Sequence, residues 1–146
     1  MSTVEKIFEA LLNNRLSSWL QRKKLLVPSQ FGFRDRTGVL HHYFSLNEAV
    51  VWRSTRGLST WIAGFIDVCK AFDIVDHQCL FWKMHLLGID VHFIRIIQSL
   101  LGRMSRRVLH GRHVSSLRSI FAGVSQGSTL GPLLYSIFIN DMVEYF

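Results

Sequence analysis

The run Trp61-Ile62-Ala63-Gly64-Phe65-Ile66 closes on Asp67, and Asp73 and Asp76 follow within nine residues. Six apolar residues without alternation predict a strand covered on both faces, because alternation with period two marks a sheet with one wet face. Such a strand would hold the carboxylate that follows it on rigid backbone, within reach of a ligand. Two readings of Asp67 stay open at this level. It is a seat for a metal or a phosphate-handling group, or it is turn chemistry, since an Asp side chain accepts from backbone N–H groups two residues on.

The 146 residues are one domain's worth of chain, and with 49% hydrophobic residues, eleven of them Phe, they can bury a substantial core. Disorder is excluded by that composition. Cys69 and Cys79 lack zinc spacing and suggest no disulfide framework. The opening MSTVEKIFEA carries acids and no cleavage-type segment, and no apolar run approaches the length of a membrane span, so an intracellular chain without membrane partners is expected. Charge is unevenly spread. Lys and Arg total 17 against 10 Asp and Glu, and Val91 to Asn140 contains no acid but six Arg: Arg95, Arg103, Arg106, Arg107, Arg112 and Arg118. A one-signed field suits a phosphate backbone, or is simply a basic surface.

Ser2 and Glu5 have the spacing of a capping box, and Val4, Ile7/Phe8, Leu11/Leu12, Leu16 and Trp19/Leu20 recur at helical period behind them. That helix should end before Arg22-Lys23-Lys24, with Pro28 closing the segment. A loop from Ser29 to Gly38 follows, and Thr37 is the expected cap of a second helix with the face Val39/Leu40, Tyr43/Phe44, Leu46 and Val50. His41 and His42 read as surface or packing residues, with no third ligand at metal-site spacing. Beyond the Asp-rich turn, a helix of about 78–87 carries Leu80/Phe81, Met84 and Leu87, with Trp82 and Met84 as core or near-core packing and Gly88 as its stop. Asp90 should cap another, facing inward with Val91, Ile94, Ile97/Gln98 and Leu101 and ending at Gly102. Around His110-Gly111-Arg112-His113 the pattern predicts a hairpin. Gly123, Gly127 and Gly131 then surround Ser125, Gln126, Ser128 and Thr129, and Pro132 opens a helix faced by Leu130, Leu133/Leu134, Ile137/Phe138 and Met142. Three glycines could let a substrate approach the backbone closely, or form only a loop and a helix cap.

FIDVCKAFDIVDHQCL, followed about fifty residues later by AGVSQGSTLGPLLYSIFINDM, resembles the reverse transcriptase domain of non-long-terminal-repeat retrotransposons. VEKIFEALLNNRLSSWL and the QFGFR of Gln30 to Arg34 agree with that family upstream, so four blocks occur in the right order over nearly the whole chain. The resemblance implies a mixed α+β fold, an incomplete right-hand polymerase palm with part of the fingers, its helices packed on a small antiparallel sheet. Residues 1–60 would be the fingers-to-palm connection and 61–146 a partial palm.

Carried over by position, Asp67 is the first palm carboxylate, catalytic and a ligand of both Mg²⁺ ions, assisted by the backbone carbonyl of Val68. Phe72 is similar to the aromatic residue beneath the incoming sugar, which excludes a 2′-OH. Gly123, Ser125, Gln126 and Gly127 resemble the motif against the nascent base pair and template, although the family more often has proline at Ser125. Asp73 would anchor its turn, and Asp141 matches a helix-end pattern outside the catalytic pair.

Nucleotidyl transfer from a dNTP to a primer 3′-OH on an RNA template uses two metal ions about 3.5–4 Å apart, which one Asp cannot hold. The family's Asp-Asp motif lies beyond Asp141, the chain stops at Phe146, and neither Asp141 nor Glu144 can replace it. The Arg-Pro-Ile segment expected before Val4 and the thumb are likewise outside the chain. The resemblance therefore implies an RNA-directed DNA polymerase chain that is truncated and inactive alone, with weak Mg²⁺ and nucleotide binding. An exposed strand edge prone to aggregation follows from the same comparison. A non-catalytic nucleic-acid-binding fragment, or a vestigial product, are the competing classes.

Overall fold

The computed structural model describes residues 2–34, 37–57, 62–125 and 127–145. Helix α1 (Thr3–Lys23) begins on the expected capping box: Ser2 Oγ accepts from Glu5 N (3.2 Å) while Glu5 Oε2 accepts from Ser2 N (2.6 Å). The hydrogen bond to Ser2 holds the Glu5 carboxyl below its usual range. Only the later half of the apolar stripe is buried, through Leu12, Leu16 and Leu20, whereas Val4, Ile7, Phe8 and Leu11 face outward. The chain turns at Lys24, in the left-handed region at φ +53°, and Asn140 secures the exit by accepting from Val27 N (2.9 Å) and donating to Leu25 O (3.0 Å).

Helix α2 (Val39–Thr55) lies where expected, but Gly38 is its N-cap. Thr37 is occupied elsewhere, its hydroxyl donating to Phe31 O at 2.6 Å. Phe31 packs on the rings of His41 and His42, with centroids 5.9 and 4.7 Å away. Helix α3 (His77–Leu86) is capped by Asp76, whose Oδ1 accepts from Cys79 N (2.7 Å), and Gly88 past its end takes φ +76°. Helix α4 (Val91–Gly102) is capped by Asp90 as expected, through bonds from His92 N and Phe93 N. Helix α5 (Gly131–Phe138) has Pro132 in its first turn, and a 3₁₀ turn, Met142–Tyr145, follows. Met142 thus falls outside the helix whose face it was expected to share.

Helix α3 packs on both α4 and α5, and α1 closes the same core. Leu20, Leu80, Met84, Ile97, Leu134 and Ile137 are its most fully buried large side chains, with Val75 and Val124 added from loops. Each such side chain contributes about 1.5–3 kcal/mol of burial free energy. Trp82 was expected at or near this core and instead points outward, because α3 turns the opposite face, Leu80 and Met84, toward α4 and α5.

Between α4 and α5 the expected hairpin forms as a longer ribbon. Strands β1 (Ser105–Arg106) and β4 (Arg118–Ser119) pair antiparallel, as do β2 (Leu109–His110) and β3 (His113–Val114). Gly111, at φ +59°, takes the first of the two loop positions between β2 and β3. The fold is therefore mixed α+β with small antiparallel sheets, but among the described residues the helices pack on one another and not on a sheet. Residues 105–119 are exposed throughout, since two-residue strands are too short to present an apolar face.

The expected buried strand before Asp67 is not observed. Residues 62–68 have no regular structure, and Ile62, Phe65 and Ile66 are 93%, 84% and 65% exposed. Trp61 and the preceding 58–60 lie outside the described residues. The reason is physical: among the described residues no chain runs beside 62–68 to share its backbone hydrogen bonds, and a lone extended segment has no ladder to hold it. Among the described residues no helix is long and apolar enough to cross a membrane.

Candidate functional site

Two segments far apart in sequence meet at the turn after Asp67. Residues 69–73 form tight turns in which Asp73 N donates to Lys70 O (2.7 Å), with Lys70 left-handed at φ +53°. The strand-like piece 121–124 lies against this turn: Val124 N donates to Phe72 O (2.9 Å), Gly123 N to Val75 O (2.7 Å) and His77 N to Phe121 O (3.3 Å). His77 is buried, and its Nε2 donates to Gly123 O at 2.7 Å, which fixes the proton on that nitrogen because a carbonyl only accepts. Gly123 is required here. At φ +94° a side chain is strained, and a Cβ would sit 3.2 Å from both Cα and O of Asp73.

Phe72 is half-buried between two rings, Phe33 (5.9 Å, edge-on) and Tyr135 of α5 (5.3 Å, tilted). Tyr135 is buried, and its phenol is pushed above its usual value, first by desolvation and second by the negative charge of Asp67. Asp67 therefore has its carboxylate within electrostatic reach of the ring that packs on Phe72. The Asp67 side is exposed and Val68 half-buried. Of the other nearby carboxylates, Asp73 Oδ1 accepts from Arg106 Nη2 at 3.2 Å and Asp76 is taken up in capping α3.

The loop that continues from Gly123 is fastened from a third direction. Glu9 of α1 accepts from Ser128 Oγ (2.7 Å) and Thr129 N (2.9 Å), while Ser128 Oγ also accepts from Gly131 N (3.0 Å) at the start of α5. Ser125 is half-buried, with its carbonyl accepting from Ser128 N (3.1 Å), and Gly127 is exposed at φ +85°. Gln126 lies outside the described residues. Asp141 forms an ion pair with Lys83 of α3.

The structure thus brings Phe72 and Gly123 into direct contact and ties Ser125 and Gly127 into a loop braced by Glu9, while Asp67 is linked to Tyr135 through its charge alone. Glu9, His77 and Tyr135 were not singled out in the sequence, and Arg106 only as one of the six arginines of the acid-free stretch. For Glu9 and Tyr135 no local signal exists, since each acts across more than sixty residues of chain. The oxygen donors offered by Asp67 and the Val68 carbonyl are of the hard type that Mg²⁺ takes together with substrate phosphates. Among the described residues no group of three or more His, Cys, Asp or Glu converges.

The family model described as reverse transcriptase (RNA-dependent DNA polymerase) matches residues 1–146. The chain is 34% identical over 145 residues to an RNA-directed DNA polymerase from mobile element jockey of Drosophila melanogaster, covering 97% of this chain and 15% of that protein. It is 32% identical over 142 residues to a probable RNA-directed DNA polymerase from transposon BS of the same organism, covering 97% of this chain and 16% of that protein. A retrovirus-related Pol polyprotein from the type-1 retrotransposable element R2 of Popillia japonica is 28% identical over 106 residues, 73% of this chain and 17% of that protein. The chain therefore spans about a sixth of the length of these curated relatives. No solved structure matches it. With the ordered motifs and the full-length family match together, the chain belongs to the reverse transcriptase (RNA-dependent DNA polymerase) family, among those of non-long-terminal-repeat retrotransposons.

Proposed function

We propose that the Asp67–Phe72 turn and the Gly123–Gly127 loop are the nucleotide end of a template-directed nucleotidyl-transfer site, acting on a dNTP, a DNA primer and an RNA template. The observation that supports this most is the backbone seam between the two segments, above all Val124 N to Phe72 O at 2.9 Å and the close approach of Gly123 to Asp73. Residues 61–146 would then form part of a palm and 1–60 its connection to the fingers.

In this reading Asp67 and the Val68 carbonyl would hold Mg²⁺, whose contribution would be to lower the pKa of an attacking hydroxyl and to offset charge on leaving pyrophosphate. One carboxylate and one carbonyl fit a share of one ion, whereas two ions 3.5–4 Å apart call for further carboxylates (roughly, from general two-metal sites). Phe72, clamped between Phe33 and Tyr135, presents a ring of fixed position against which a ribose 2′-OH would be excluded. Gly123 lets the backbone pass close, and the loop of Ser125, Gln126 and Gly127 lies against the base pair being formed. The 146-residue chain by itself is expected to extend no primer.

Weak binding is best seen with a paramagnetic ion. Adding Mn²⁺ and a dNTP to isotope-labelled protein should broaden the amide signals of residues 66–74 and 122–128 together, and Asp67→Asn should remove that broadening. Broadening elsewhere, or an unchanged response in Asp67→Asn, would reject the site. A non-catalytic nucleic-acid-binding role is the second reading, favoured by the exposed acid-free ribbon between α4 and α5.

A further inference from the structure

We propose that the ribbon of residues 105–119 is a phosphate-gripping arm that holds the nucleic-acid strand leaving the Asp67–Gly123 site. This deepens the reading above and rests on it for the position of the strand. Every residue from 105 to 119 is exposed, and the stretch belongs to the fifty residues that contain no Asp or Glu. The arm springs from the site itself: Arg106 in β1 binds Asp73, and Ile120, whose N–H donates to Met104 O (3.2 Å), leads directly into Phe121–Gly123.

The register of the ribbon sharpens the argument. Arg106 stands directly opposite Arg118, and His110 opposite His113. Like charges directly opposed across a ladder destabilise it; Asp73 offsets the charge of Arg106, and an anion beside the guanidinium of Arg118 would offset the one left uncompensated. Between the two paired regions residues 107 and 108 on one side face 115, 116 and 117 on the other, two against three. That extra residue is a bulge, which twists a ribbon and re-aims its tip. Arg112 is carried at that tip, in the two-residue loop. Among the described residues only Arg106 of the arm's arginines has an acid partner; Arg107, Arg112 and Arg118 have none.

An extended strand of phosphates fits this surface better than a single free phosphate, because the unpaired arginines are spread from the base of the ribbon to its tip. The test uses the whole chain and a fluorescein-labelled RNA annealed to a shorter DNA primer, with anisotropy followed from about 50 to about 200 mM salt. Each phosphate neutralised contributes about 0.7–0.9 to the slope of log affinity against log salt. The triple variant Arg107→Ala, Arg112→Ala, Arg118→Ala should therefore lower that slope by about 2 and weaken binding at about 50 mM salt on the order of a hundredfold or more. The same three positions changed to Lys should restore the slope, which a mere loss of folding or packing would not predict.

An unchanged slope in the Ala triple, with the wild type still binding, overturns the arm and leaves the Asp67 site standing. No binding by the wild type also overturns it, and the Mn²⁺ broadening then judges the site separately. Equal competition by inorganic phosphate at the same phosphate concentration, or capture of phosphatidylserine vesicles without oligonucleotide binding, would assign the arginines to another ligand and overturn the proposal.

Discussion

Helices α2 and α4 are both amphipathic by sequence, yet α4 buries Ile94, Ile97 and Leu101 and α2 buries nothing. The face expected of α2 forms at the expected spacing and remains open: Val39 and Leu40 are about four-fifths exposed, and Tyr43 and Phe44 about two-thirds. The difference lies in neighbours. Helix α4 meets α3, which meets α5, so each apolar stripe is covered by another. Helix α2 is followed by residues 62–68, which have no ladder partner of their own, and no described element covers its face. Local pattern fixes which side of a helix is apolar, and tertiary contact alone decides whether that side leaves water.

Truncating one residue in each helix gives the largest contrast. Ile97→Ala removes a fully buried side chain and should cost about 2–5 kcal/mol. Phe44→Ala, on the open face, should change stability by less than about 0.5 kcal/mol. Urea denaturation of both variants decides the matter. Equal losses would mean that the α2 face is covered in solution, and a concentration-dependent midpoint would point to a second copy as the cover.

The same distinction explains what could be read from the residues. Ser2–Glu5, Asp90, Gly88 and Pro132 are local devices, each satisfied within four residues, and all four act as their positions suggested. The hairpin at Gly111 is local too. Thr37 failed because its hydroxyl found a competing acceptor, Phe31 O, in the preceding loop. The 62–66 strand failed because a strand is completed by a partner, and apolar content cannot supply one. At the site, family resemblance assigned Phe72 to the incoming sugar and Gly123 to the nascent base pair, and the backbone contact between their segments was foreseen by neither resemblance nor periodicity. The brace from Glu9 and the ring of Tyr135 were invisible in either way, because nothing in a Glu on a helix or a Tyr in an apolar run says what it will touch.

Glycines 123 and 127 offer a finer comparison within the candidate site, since both are left-handed but only one is crowded. Gly127→Ala meets nothing within 4 Å and should lose only the backbone term, about 1 kcal/mol. Gly123→Ala adds a clash with the Asp73 backbone at 3.2 Å and should lose about 2–3 kcal/mol. It should also separate the two segments of the site. Thermal melting gives the ordering, and amide exchange at Gly123 and Val124 reports whether the seam opens. Equal losses would mean that the Phe72–Asp73 turn yields easily and that the seam does not hold the site together.

The smallest effect tests whether Asp67 belongs beside that seam at all. Burial and the Asp67 charge, in that order, raise the Tyr135 phenol above its ordinary 10.0. A folded pKa above the unfolded one favours the fold while the phenol is protonated. The contribution is fully present below pH 10.0 and is lost as pH rises through the raised folded value. Asp67→Asn removes the second cause and leaves the first, so Tyr135 should titrate at a lower pH than in the wild type while staying above its ordinary value. Phenolate absorbance, taken as wild type minus Tyr135→Phe and again in the Asp67→Asn background, isolates this one ring from Tyr43 and Tyr145. A Tyr135 titration indifferent to Asp67 would put the carboxylate out of reach of the ring against Phe72, and the site would lose the only electrostatic link that joins its acid to its aromatic floor among the described residues.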